Sequence, residues 1–120
     1  MTPSATMRDR LLQDSPSRRI GNIAANLARM ASFSTDDEHS DLVRGLAEES
    51  AFFVEWAAPS AEFALQLELL ALQRRLVRWT RSWSSIWIDS CQRQAIRESA
   101  EQWARRLLEL AGLVPRTRNI

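Results

Sequence analysis

Leu65, Leu69, Leu72, Leu76, Trp79, Trp83 and Ile86 recur at alternating steps of four and three residues. This is the seam of a helix packed lengthwise on other helices. It predicts a helix from a Ser60 cap to about residue 87, roughly 40 Å long at ~1.5 Å per residue. Three further stretches repeat with the same period. Ile20, Ile23, Ala24, Leu27, Met30 and Ala31 predict a first helix over about 16–33, with Asp14 or Ser15 as N-cap and Pro16 in the first turn. Thr35-Asp36-Asp37-Glu38 reads as a capping box opening a second helix. That helix has Leu42, Val43, Leu46, Phe53, Trp56 and Ala57 on its apolar face, Ser50 as a small contact beside them, and Pro59 as its stop. Asp89, with Gln92 three residues on, caps a fourth helix over about 90–111 that turns Ile96, Trp103, Leu107 and Leu110 inward before Gly112 and Pro115 close it.

The third of these helices has a second apolar side, because Phe63, Leu67, Leu70 and Val77 lie well away from the seam. Its first half is therefore expected to be surrounded by other elements. Along its second half Arg74, Arg78 and Arg81 take over that side at steps of four and three, an arginine stripe facing solvent or a partner.

Composition narrows the fold class. In 120 residues there are only 3 Gly and 4 Pro, too few to turn many short strands, while 45% hydrophobic residues are enough for one core. An all-α, antiparallel up-and-down four-helix bundle follows from four helices with short links. Its expected limits are residues 16–113, after a flexible N-terminal arm over 1–15 that should be dispensable for folding, and before a polar tail over 114–120. No segment approaches ~18 uninterrupted apolar residues and no apolar run follows Arg8 and Arg10, so neither a membrane span nor an export signal is expected. A single cysteine fits a reducing cytoplasm.

Candidate chemistry is sparse. The second helix brings Asp36, Asp37, Glu38, His39, Asp41, Glu48, Glu49 and Glu55, but paired-carboxylate di-metal bundles take Glu-x-x-His from two helices and this chain has one histidine. A solvated acidic face is the simpler reading, with no metal and no cofactor expected. Cys91 falls in the first turn of the fourth helix, where amide dipoles lower a thiol pKa. No histidine lies near it in sequence, and a spectator thiol is the default. No phosphate loop or nucleophile–base order occurs.

Charge is unevenly placed. All 16 basic residues are arginine, which GC-rich coding explains, although arginine forks also pair bidentately with carboxylates and stack on indoles. Residues 36–62 hold eight acids against Arg44, a balance of −7, while residues 63–120 hold ten arginines against five acids, a balance of +5. The two halves can neutralise each other within one chain, or they can steer self-association. The net charge of +1 and the acidic neighbour argue against nucleic acid, although arginines interleaved with indoles could stack single strands.

These features favour a non-enzymatic protein that binds other proteins, as a homodimer or an assembly subunit. The expected contact residues are Arg74, Arg78 and Arg81 for charge pairing, with the acidic second helix of a neighbour as their target, and Trp83 and Trp87 as anchors. The alternative is a small-molecule or cofactor binder with a pocket lined by Trp56, Trp79 and Trp103.

The strings Glu48-Glu49-Ser50 with Phe52-Phe53-Val54-Glu55-Trp56, and Gln102-Trp103 followed by Leu107-Leu108-Glu109-Leu110-Ala111-Gly112-Leu113, resemble those of small uncharacterised helical proteins of cyanobacteria. The resemblance covers about residues 18–113. It implies a bacterial cytoplasmic protein and brings no catalytic residues with it.

Overall fold

The computed structural model describes residues 5–115. They form six α-helices and one 3-10 turn: α1 (Ala5–Gln13), α2 (Pro16–Ser32), α3 (Ser40–Ala57), the 3-10 turn (Ala58–Ser60), α4 (Phe63–Arg81), α5 (Trp83–Trp87) and α6 (Ser90–Leu110). The all-helical class and the four long helices agree with the sequence pattern. The two short helices differ from it.

The centre of the molecule is α2, which packs most extensively on α6 and next on α3, while α4 lies on α3. Ile23, Leu27 and Met30 are completely buried there. On the facing helix Ile96, Ala100, Ala104 and Leu107 are buried at steps of four and three, and the two alanines leave room for the helix axes to approach. The approach is close near Gly21 as well, where an added Cβ would stand 3.3 Å from Leu113 Cδ1. Leu113 is placed there by a Schellman turn: Gly112 takes φ 73°, the Leu113 N–H donates to the Leu108 carbonyl and the Gly112 N–H to that of Glu109.

Two of the expected caps form. The Ser15 hydroxyl accepts from the Arg18 N–H with Pro16 opening α2, and Asp89 Oδ1 accepts from the N–H groups of Cys91 and Gln92. The Gln92 amide also donates to Asp89 Oδ2. Together the Gln92 side chain and the two backbone donors, helped by the charge of Arg93, hold the Asp89 carboxyl below its ordinary range.

The capping box at residues 35–38 does not form, and α3 begins at Ser40. The Asp37 carbonyl accepts instead from the Trp87 indole at 2.9 Å, and Asp36 folds back to accept from the Glu38 N–H. The Glu38 N–H that the box would use is thus taken by Asp36, while a long-range indole holds the adjoining carbonyl. The Ser60 cap is likewise replaced: Pro59 enters a 3-10 turn and α4 starts after Glu62, with the Gln66 side chain donating to the Ala58 carbonyl.

The seam helix is interrupted at Ser82 (φ −108°, ψ 21°), between α4 and α5. Backbone bonds from the Ser82 N–H to the Arg78 carbonyl and from the Ile86 N–H to the Ser82 carbonyl span the break. Ser82, Ser84 and Ser85 are weak helix formers, and the Ser85 hydroxyl donates to the Ser82 carbonyl. The seam itself survives, with Leu69, Leu72 and Leu76 fully buried and Trp79, Trp83 and Trp87 nearly so.

Residues expected as a flexible arm form α1, which rests on α3 and buries Leu11. Arg19 clasps its end, donating to the carbonyls of Leu12 and Asp14 at 2.6 and 3.0 Å. Most of the expected tail, residues 116–120, lies outside the described residues.

Candidate protein-contact face

On α4 the residues Phe63, Leu67, Leu70, Arg74, Val77 and Arg81 fall within about 40° of one line along the helix, opposite the buried seam. The expectation that this side is covered over its first half does not hold. Phe63 is 74% exposed, Leu67 51% and Leu70 45%. The reason is one of thickness. The molecule measures only 20 Å along its short axis, two helix diameters of ~10 Å, so α4 has neighbours on one side and no third layer on the other.

The arginine half of the stripe borders a groove of about 540 Å³ in which Leu70 and Val77 sit between Arg74, Arg78 and Arg81. Among the described residues none of these three arginines forms an ion pair, whereas Arg106 of α6 meets Glu68 at 3.5 Å. Gln73, at the edge of the stripe, donates to the Ala51 carbonyl and braces α4 against α3.

Trp83 and Trp87, expected as partner anchors, are 4% exposed and turned into the protein. Their rings stack with centroids 5.1 Å apart and planes 20° from parallel. The Trp83 indole donates to the Ser40 hydroxyl, the Trp87 indole to the Asp37 carbonyl, and Arg93 lies 5.8 Å from the Trp87 ring while bonding its carbonyl. They clamp the start of α3 to α5, which corrects the anchor reading: a buried indole offers a partner no surface.

The alternative pocket fares no better as geometry. Trp79 is buried, Trp103 is half-buried, and half-buried Trp56 packs its ring against Phe52 and Phe53, each at 5.9 Å. The groove beside α4 is lined by none of the three.

A second groove, about 610 Å³, lies beside α3 with Asp41, Leu42, Glu48 and Glu49 on its wall together with Arg29 and Arg44. Leu42, expected on the apolar inner face, is 39% exposed here. The charges of this wall are largely answered at home: Arg44 meets Glu48 at 3.1 Å, and Asn26 reaches toward Glu49 at 3.5 Å.

The remaining candidates for chemistry are at the surface. Cys91 is exposed, with its N–H on the Asp89 carboxylate. His39 packs edge-on against Phe33 at 5.1 Å, and together with Asp36 and Glu38 it offers ligand atoms within 4.8 Å of one another. Asp36 already accepts from the Glu38 backbone. No described helix is long and apolar enough to cross a membrane.

Compared with known families, curated proteins and solved structures, the chain matches none.

Proposed function

We propose that this chain is a non-enzymatic scaffold, its four long helices arranged as an antiparallel up-and-down bundle, that acts through protein–protein contacts made by the outer face of α4. The observation that carries this reading is the row Phe63, Leu67 and Leu70, apolar and open to solvent, continued past exposed Val77 by arginines that form no ion pair among the described residues. Solvated faces of ordinary helices are polar. An exposed apolar row that passes into interleaved arginines is the composition of a contact surface, and arginine is favoured at such surfaces because its stem packs while its fork pairs.

The test is native mass spectrometry of the full chain from its own host, beside the variant Leu67→Ser/Leu70→Ser. Both substituted residues are exposed, so the variant should keep its helical circular dichroism. The parent should carry further protein mass, its own or another chain's, and the variant should not. Equal association of both proteins, or a monomer carrying a small molecule in place of protein, would sink the proposal.

A further inference from the structure

We infer that the occupant of the α4 face is α4 of a second copy of this chain, laid antiparallel across it. The inference rests on the contact reading above and deepens it by naming the partner and its register.

The six stripe residues are their own complement when reversed. An antiparallel copy centred on position 72 sets Phe63 against Arg81, Leu67 against Val77, and Leu70 against Arg74, filling three layers on each side of the two-fold axis. In each mixed layer an arginine stem lies along an apolar side chain with its guanidinium free at the edge, and Arg81 faces an aromatic ring that is 74% exposed in the single chain. Charge agrees with this direction. The basic end of one α4, with Arg78 and Arg81, meets the start of the other, where the preceding connection carries Glu62 and the end of α3 carries Glu55.

A parallel pairing would put Arg74 on Arg74 and Arg81 on Arg81 in the same layers. An unrelated apolar helix would leave Arg78 and Arg81 of each chain without acids. The acidic groove beside α3 is the other place for the arginines, but Glu48 and Glu49 there already meet Arg44 and Asn26, which leaves Asp41 beside Arg29 and Arg44 on the same wall, and that heterologous contact would build chains of molecules with no closure. Ala64 and Ala71 on one flank of the stripe leave the two helices free to approach.

One helix pair is a small interface, in the class below about 1,200 Å² that forms transient complexes, so association should depend on concentration. Analytical ultracentrifugation of the full chain over a hundredfold concentration range should show a monomer–dimer equilibrium. Leu67→Ser/Leu70→Ser should abolish it. Arg81→Glu should weaken it about tenfold, and Arg81→Glu combined with Glu62→Arg should restore most of that loss.

Spin labels on Cys91→Ser chains read the direction. Helix geometry puts Ala71→Cys labels about 10 Å apart across the axis and Ala64→Cys labels about 26 Å apart. Short distances at both sites mean a parallel pair and overturn the inference. A chain that stays monomeric alone, yet loses a different protein partner on Leu67→Ser/Leu70→Ser, also overturns it while leaving the contact function standing. A dimer indifferent to Leu67→Ser/Leu70→Ser overturns both.

Discussion

Leu72 and Asp89 show how differently single residues matter here. Leu72 is completely buried at the middle of the seam, where α4 meets its neighbours, and its side chain cannot be shortened without leaving space. Leu72→Ala should cost about 2–5 kcal/mol from lost transfer energy and a residual cavity, measured by urea unfolding. Loss of less than half a kcal/mol would mean the site collapses freely. Asp89 acts through its charge. Its carboxyl is held below the ordinary aspartate value of 3.8, chiefly by the Gln92 amide and the N–H groups that it caps. The folded state therefore binds this proton less readily than the unfolded chain. The resulting stabilisation is present above 3.8 and fades as pH falls through the lower folded value. Asp89→Asn keeps a good cap but removes this part of the acid response, so its unfolding midpoint should fall less steeply than the parent's between pH 4.5 and pH 2.5, roughly the span over which an aspartate titrates.

Among the elements, α1 departs furthest from the pattern of the chain. It lacks a sustained apolar face, and what it contributes is chiefly one buried leucine, Leu11, with half-buried Met7 packed against the core and its last turn gripped by Arg19. A chain beginning at Asp14 should still fold cooperatively, because the packing of α2 on α3 and α6 is untouched, but should lose roughly 1.5–3 kcal/mol, the worth of burying one large apolar side chain. Unchanged stability on truncation would make α1 a bystander. The break between α4 and α5 is of a different kind. It lets Trp83 and Trp87 turn their indoles toward Ser40 and Asp37, and that contact sets where α3 begins. A serine-rich stretch yields at this point because it gives up little helix propensity in doing so.

The whole molecule is a slab two helices thick, and its association should follow from that shape. Raising salt should weaken the complex several-fold without abolishing it, because exposed charges are screened over ~8 Å at physiological ionic strength while the apolar layers are not. Arg78→Glu/Arg81→Glu should weaken it at low salt too and leave the monomer folded, since both side chains are exposed and far around the helix from the seam. Sedimentation at two salt concentrations checks both statements. An association equally strong in the double variant at low salt would remove the arginines from the interface.

The alternation of three and four along the chain determined by itself that this protein is helical, roughly where its four long helices lie, and that the α2 face and the α4 seam from Leu69 to Trp79 are buried, because a 3.6-residue turn forces apolar side chains at that spacing onto one face. It determined the caps at Ser15 and Asp89 for the same local reason: their partners are two or three residues away. Only the tertiary structure decided the start of α3, where the Asp37 carbonyl is drawn to an indole fifty residues distant, and the burial of Trp83 and Trp87, whose spacing fits a core and an anchor equally well. It alone decided the candidate site. Phe63, Leu67 and Leu70 carry the same periodicity as a core face, and periodicity reports that a face is apolar without reporting what lies against it. That depends on how many layers the helices stack into, and this chain has helices for two.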